Sequence, residues 1–400
     1  MTSNRKFHEV IVGGAGIFGL TSAIELRKRG YDVAVMNPET IPHFLGSSTD
    51  ISKAVRMEYG SDIQYFEMAE ESIRIWTEWN KEFGEELYCN VGFLMLGQEK
   101  LDSPRQAFES TSLAELINHG YKVEQLSTLQ LETTFPAFKG SGYEFGIFNQ
   151  TGGFAKSGRA VEVLAEYALS IGVHIYNHHE ISELIVEKHR VKGLKVSSGQ
   201  DYSCDHFIAA MGAHTPMHFA ELKHQMKITG HSVFWLKPKS QSPFRRENMP
   251  VFTADISNTG WYGFPLDESL NVVKIGLHAN GEEIHPISGH RIVHQSEIDL
   301  LMKFIEERMP SLKDATLVYT RKCLYTDTLD GNYWIDHHPS IQGVTIVTGG
   351  SGHGFKMGPV IGQLVADLFE NKKHPWLTKF KWRDLSKSRK TKEDARHFLE

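Results

Sequence analysis

The segment that most restricts the fold is residues 8–37, HEVIVGGAGIFGLTSAIELRKRGYDVAVMN. An apolar run reads as a strand, and Gly14, Gly16 and Gly19 follow it in a G-x-G-x-x-G turn. An amphipathic helix then runs to about Arg29, stops at Gly30, and gives way to a second strand over residues 32–36. This strand–turn–helix–strand order is a βαβ unit. The first glycine permits the tight turn, the second lets a pyrophosphate approach the backbone, and the third lets the helix pack close to its strand. Gly14, Ala15, Gly16, Ile17, Phe18 and Gly19 are therefore expected to cradle a dinucleotide pyrophosphate at the helix start, where backbone amides attract anions. An acidic residue usually ends the second strand and binds the adenosine ribose; Asn37 stands there instead. Its amide can hydrogen-bond a hydroxyl without the strength of a charged partner, and Glu39 is close enough in sequence to compensate.

A second glycine loop lies near the other end, in VTGGSGHGFKMGPVIGQLVADLF, residues 347–369. Gly349, Gly350, Ser351, Gly352, His353 and Gly354 lead through Phe355 and Lys356 into a helix from about Gly358. An amide-rich helix start stabilises negative charge. With the first helix start given to pyrophosphate, a second would suit the anionic N1–C2 edge of a reduced flavin. The competing reading is a turn whose glycines serve only close packing.

Four hundred residues, 40% of them hydrophobic, suffice for two domains of about 150 residues or more each. Residues 62–84 read as helix, 91–97 as a strand, and 101–138 as a mostly helical excursion. Helix, strand, a hairpin around residues 188–192 and an apolar strand ending at Gly212 then return the chain to the nucleotide fold. Residues 226–330 hold further strand candidates and the helix SEIDLLMKFIEERM. The expected class is α/β, as an α+β two-domain protein. A Rossmann-like nucleotide domain of residues 1–90, 145–220 and 325–385 is interleaved with a sheet-rich substrate domain of residues 91–144 and 221–324.

A net charge of −6, without long like-charge runs, argues against nucleic-acid partners. Cys89, Cys204 and Cys323 are far apart and odd in number, so neither a disulfide framework nor a metal site is expected. No run approaches the ~20 apolar residues of a membrane span. The N-terminal glycines do not suit a secretory signal, and the final HFLE is no peroxisomal tripeptide. A cytoplasmic, intracellular monomer is the expectation.

Three stretches gather reactive side chains. In NVVKIGLH, strand alternation sends Lys274, Gly276 and His278 to one face, available either to a cavity or to solvent. In KCLYTDT, Cys323, Tyr325 and Asp327 share a face; a lone cysteine is more often an inert buried residue. In DISKAVRMEYG, Lys53 and Arg56 stand three apart, which on a helical turn makes one cationic face.

With these motifs in place, the chain resembles the monomeric sarcosine oxidase family of flavin-dependent amine oxidases, which includes pipecolate, saccharopine, N-methyltryptophan and fructosyl-amino-acid oxidases. The likeness runs over nearly the whole chain: the glycine fingerprint, SKAVRMEYG, GWYGFP, KIGLH, CLYTDTLDGNYWIDHHP and SGHGFK. It implies FAD, joined at its 8α-methyl group to Cys323. Lys274 looks like the lysine that activates dioxygen near flavin N5. Arg56 and Lys356 resemble the pair that clamps a substrate carboxylate, and His278, Tyr262 and Tyr325 resemble residues lining the substrate side of the flavin. Ser48, Lys53, Gly212, Gly352, His353, Gly354 and Lys356 join the cofactor set by the same resemblance. Lysine at position 53 is closer to the fructosyl-amino-acid branch than the arginine of the sarcosine-specific members. His214 stands where relatives often carry tryptophan.

The implied activity is FAD-dependent oxidation of a secondary amine, an N-substituted or cyclic amino acid, by dioxygen to an imine and hydrogen peroxide. A flavin dehydrogenase with another acceptor, a biosynthetic flavoenzyme that uses imine chemistry for ring or carbon–carbon bond formation, and a non-catalytic nucleotide-binding module are the alternatives.

Overall fold

The computed structural model describes residues 5–386; the C-terminal HFLE on which the peroxisomal reading rests lies outside them. The chain divides into two compact units. Among the described residues the first takes 5–50, Ser157–Ile228 and 324–386; the second takes Ile51–Lys156 and Thr229–Cys323. Among the described residues no helix is long and apolar enough to cross a membrane.

In the first unit the βαβ segment forms as expected: strand Lys6–Gly13, helix Ile17–Lys28, strand Val33–Asn37. Val10, Ile11 and Val12 in the first strand and all five residues of the second are buried, as central parallel strands require. The long strand Asp201–Ala209 lies parallel to the first strand on its other side. Its N-terminal half also pairs antiparallel with Arg190–Val196, while its C-terminal half pairs parallel with Val344–Thr348. His174–Asn177 completes the parallel set beside Val33–Asn37. The chain thus leaves the first strand to one side and returns on the other, the arrangement that opens a crevice at the carboxyl ends of the strands. The hairpin expected near residues 188–192 is present between Ile181–Glu187 and Arg190–Val196. Lys188 and His189 both have positive φ, 48° and 60°, which matches the twist of a two-residue hairpin turn.

The second unit is built on a sheet of nine strands, among them Phe93–Gly97, Phe145–Asn149, Val251–Ala254, Trp261–Gly263, Val273–Leu277 and Met226–Lys237. One face carries Leu94, Leu96, Phe234, Phe252 and Ile275, packed with Leu301, Phe304 and Ile305 of helix Gln295–Arg308. The opposite face carries Met95 and Ile147, clustered with Phe264, Phe108 and Phe93.

The boundaries differ from those expected from sequence. Residues 51–90 and 145–156 group with the second unit, because Lys53–Val55 and Tyr88–Cys89 both pair antiparallel with Gly153–Ala155 and Phe145–Asn149 pairs with Phe93–Gly97. The excursion 101–138 is less helical than expected: strand Val123–Leu126 separates helices Ala107–Asn118 and Thr128–Thr134.

Candidate active site

The first glycine loop has little steric choice. Gly14 has φ +97°, and a Cβ there would stand 2.6 Å from the Ala210 carbonyl oxygen; one at Gly19 would stand 1.9 Å from that of Gly14. Gly16 begins the helix Ile17–Lys28 with no side-chain cap of its own. Ser48 supplies a partner from outside, its Oγ accepting from the Ile17 amide at 3.0 Å. Ala15 and Ile17 are buried in the loop. Gly212, at the end of the neighbouring strand, has φ +54°, and nothing lies within 4 Å of an added Cβ. Asn37 is buried, and its Nδ2 donates to the Glu39 carbonyl at 2.6 Å, so the expected contact to a ribose falls to its amide oxygen. The Glu39 side chain is exposed.

The second glycine loop lies against the first. A Cβ on Gly354 would come 2.7 Å from Phe18 Cζ, and one on Gly358 would come 2.2 Å from Ile17 Cγ1; at Gly362 the neighbour is the Thr21 carbonyl oxygen, at 2.6 Å. Close packing of helix Gly358–Phe369 on helix Ile17–Lys28 therefore accounts for these three glycines. Gly350 is different: an added Cβ there meets nothing nearer than 3.8 Å. Gly352 has φ +78°. His353 is fixed at both ring nitrogens, Nδ1 to Tyr333 Oη at 2.8 Å and Nε2 to the Gly331 carbonyl at 3.0 Å. Lys356 is 4% exposed, and its Nζ donates to the His353 carbonyl at 3.1 Å. Two helix starts thus meet at one edge of one sheet, which fits a cofactor that carries a pyrophosphate and a second anionic group.

In the second unit the alternation expected for residues 271–278 holds, but every residue of strand Val273–Leu277 is buried, so a solvated face is excluded. Gly276 pairs with Tyr262 and Val233, and Lys274 with Trp235; directly paired residues share a face of the sheet. The Tyr262 ring lies across Gly276, where an added Cβ would stand 2.3 Å from its Cζ and 2.5 Å from its Oη. Lys274 is 2% exposed; its ammonium donates to the Ser52 carbonyl at 2.5 Å and stands 4.7 Å from the Phe264 ring centroid. His278 is buried, and its backbone amide donates to the Gly260 carbonyl at 2.7 Å.

Lys53 and Arg56 do not form a helical face. Lys53–Val55 is a strand with Arg56 just beyond it, because antiparallel pairing with Gly153–Ala155 overrides the local spacing. In a strand, residues three apart point to opposite sides, so Lys53 is half-buried while Arg56 is 91% buried. The Arg56 guanidinium carbon is 5.1 Å from the Tyr59 ring centroid, 5.5 Å from Phe93 and 5.7 Å from Phe108. Its Nη1 has no hydrogen-bond partner among the described residues. A buried donor left this way is costly unless a ligand completes it.

Two acids beside Arg56 were not visible to sequence reasoning. Glu58 is fully buried and takes a 2.9 Å hydrogen bond from Asn149 Nδ2; burial raises its pKa against the opposing pull of Asn149 and Arg56. Glu109 is fully buried with neither carboxyl oxygen partnered among the described residues, and burial pushes its pKa up to about 8. Its only sequence signal is a carboxylate on the apolar side of helix Ala107–Asn118, where Phe108, Leu113 and Leu116 are buried.

Cys323 and Tyr325 lie two apart in strand Thr316–Thr328, with Asp327 beyond them. Cys323 forms no disulfide among the described residues and is 4% exposed, with the Arg291 guanidinium close enough to interact electrostatically. Tyr325 is half-buried and Asp327 buried.

A parallel α/β sheet with a glycine fingerprint at its crevice and a second helix start beside it defines a dinucleotide-cofactor protein. The chain matches the DAO family of FAD dependent oxidoreductases over residues 9–368 and belongs to that family. Monomeric sarcosine oxidase of Bacillus sp. is 26% identical over 364 residues, covering 90% of this chain and 91% of that protein. L-saccharopine oxidase of Schizosaccharomyces pombe is 24% identical over 422 residues, covering 96% and 95%. The solved structure of fructosamine oxidase from Aspergillus fumigatus (Amadoriase II) in complex with FSA superposes with a TM-score of 0.85 at 22% identity, covering 99% of this chain and 95% of that one, a likeness of fold. The Rossmann-like nucleotide fold and the family resemblance drawn from the motifs are thereby borne out, and FAD is the cofactor of the family.

Proposed function

We propose that this chain is an FAD-dependent oxidase of a secondary amine, an N-substituted or cyclic amino acid of the sarcosine, pipecolate, saccharopine or fructosyl-amino-acid kind, giving an imine and hydrogen peroxide. The names of the curated relatives support the substrate class. The observation that carries it within this chain is Arg56: a buried guanidinium with an unpartnered Nη1 is built to receive an anion, and planar bidentate geometry suits a carboxylate.

In this reading the first unit holds FAD. Gly14, Ala15, Gly16, Ile17, Phe18 and Gly19 take the pyrophosphate, Ser48 steadies the helix start, Asn37 meets the ribose, and the loop Gly352–His353–Gly354 with Gly212 completes the set there; Lys53, of the second unit, joins the cofactor set by the family resemblance. Bound FAD supplies the acceptor for a hydride equivalent and the route by which it reaches oxygen. Cys323 would be joined to the flavin 8α position. Arg56 and Lys356 would hold the substrate carboxylate and so orient the C–H bond to be broken, an effect able to supply several kcal/mol of the barrier reduction. The substrate amine reacts as the free base, and His278 would tune its protonation. Tyr262 and Tyr325 would shape the cavity. Lys274 would hold a fixed positive charge where oxygen gains electrons; in a water-poor site such a charge is worth more than in bulk. Water would hydrolyse an acyclic imine, whereas a ring substrate would leave as the cyclic imine. The protein would act as a cytoplasmic monomer.

The test is a visible spectrum of the purified protein before and after acid precipitation, followed by peroxide assays with sarcosine, L-pipecolate, saccharopine and a fructosyl amino acid. Yellow colour in the pellet and peroxide from one of the amines is the expected result. Colour released to the supernatant removes the Cys323 linkage, and absence of colour even after adding FAD removes the oxidase reading.

A further inference from the structure

At the amino ends of the parallel strands, away from the glycine loops, three residues from three neighbouring strands come together. His8 is in the first strand, Asp32 immediately precedes Val33–Asn37, and His174 begins His174–Asn177. One ligand atom from each lies within 4.8 Å of the other two. His8 Nδ1 is 3.0 Å from Asp32 Oδ2, and His174 Nε2 is 3.5 Å from Asp32 Oδ1. The His8 and His174 ring centroids are 4.8 Å apart.

We propose that His8, Asp32 and His174 form a site for a divalent transition metal of the zinc type. The donor set is chemically apt, since imidazole and carboxylate together suit zinc and its neighbours. Ligand atoms held about 2.0–2.2 Å from a tetrahedral zinc ion lie about 3.3–3.5 Å from one another. The His8–Asp32 and His174–Asp32 separations fall near that value through different carboxylate oxygens, and His174, with half of its side chain exposed, has room to shift toward the oxygen that His8 faces. His8 is the anchor. It is 2% exposed, and Tyr176 Oη stands 3.0 Å from its Nε2, so the ring is held with Nδ1 toward Asp32. An orienting partner of this kind on the second ring nitrogen is what metal-bound histidines carry. Lys6 is associated with the Tyr176 ring, 4.9 Å from its centroid, and so with the Nε2 side of His8. The fourth position would be filled by water. The bound ion would tie the three strands together across the sheet, on an edge that the proposed chemistry does not use.

Sequence spacing could not disclose the site, because it is assembled across parallel strands from residues far apart in the chain. The test uses flavin-loaded protein stripped with a chelator and dialysed against micromolar zinc chloride, with bound metal measured by atomic emission. The parent and a His290→Ala control, which removes an exposed histidine elsewhere, should each retain one zinc per chain and melt at a higher temperature with zinc than without. His174→Ala and Asp32→Asn should lose both the zinc and the shift while keeping the flavin absorbance of the parent. Equal zinc content in parent and His174→Ala, or no zinc bound by the parent, overturns the proposal.

Discussion

Replacing Gly276 by alanine isolates one contact of the proposed substrate face. Gly276 sits in a strand paired on both sides, opposite Val233 and Tyr262. The new methyl group would stand 2.3 Å from Tyr262 Cζ and 2.5 Å from its Oη. Carbon atoms pack at about 3.5–4.0 Å, so the ring must move by more than an ångström. Overpacking of this kind costs about 1–3 kcal/mol, while replacing a strand glycine by alanine returns about 0.5–1 kcal/mol of chain entropy. The expected net loss is therefore roughly 0–2.5 kcal/mol, read from urea unfolding midpoints at unchanged slope. In a Tyr262→Ala background the clash is gone, and Gly276→Ala should be neutral or stabilising by up to about 1 kcal/mol. The cycle should thus show a coupling of about 1–3 kcal/mol between the two positions. In steady-state assays Gly276→Ala should raise KM, because Tyr262 has been displaced, while FAD content stays at the parent level. Equal destabilisation in both backgrounds would refute the argument, since the cost would then come from something other than Tyr262.

Lys274→Met keeps the length of the side chain and removes its buried charge; air reoxidation of the substrate-reduced enzyme, followed by stopped flow, should slow by about 100-fold or more. With Cys323→Ser, acid precipitation should release the yellow colour into the supernatant, where the parent keeps it in the pellet. Truncation of Arg56 to alanine removes charged hydrogen bonds worth about 1.5–3 kcal/mol each, so KM for a carboxylate substrate should rise roughly 10- to 100-fold, with a much smaller change for a substrate lacking the carboxylate. Glu109 titrates near 8 in the folded chain and near 4.5 when unfolded, so the native state retains a proton that the unfolded chain releases. Stability is therefore lost as pH rises through that window. Glu58 acts in the same direction, and Glu109→Gln should flatten the decline in unfolding midpoint between pH 5 and pH 9 without abolishing it.

The nucleotide fold was legible because its signals are local: a strand, a glycine turn and a helix within thirty residues, with periodicity changing from 2 to 3.6 along the way. The strand carrying Lys274, with His278 just beyond its end, was legible for the same reason. What local pattern could not settle was pairing. Lys53 and Arg56 sit at a spacing that suits a helical turn, and only the partner strand Gly153–Ala155 decides otherwise. Gly354 reads as part of an anion loop, yet its tight neighbour is Phe18, and Gly358 and Gly362 in the helix that follows meet Ile17 and Thr21, residues no window of sequence would place beside them. Glu109 shows the same limit, since its significance lies in the burial around it.

The packing of the two helices has a consequence for how the chain acquires its cofactor. Helix Ile17–Lys28 is made well before the helix that covers it. The covering helix, Gly358–Phe369, follows it by more than three hundred residues, and the two are fastened where Arg29 meets Asp367 and Glu370, a separation of 341 residues for the latter pair. At a synthesis rate of about 5–20 residues per second, the early glycine turn waits some tens of seconds for that cover. During that interval the buried side of the first helix has no final partner, and the slow step is closure of a very long loop. FAD capture should accordingly wait for that helix, and chains cut before Gly358 should emerge colourless however well residues 5–50 fold.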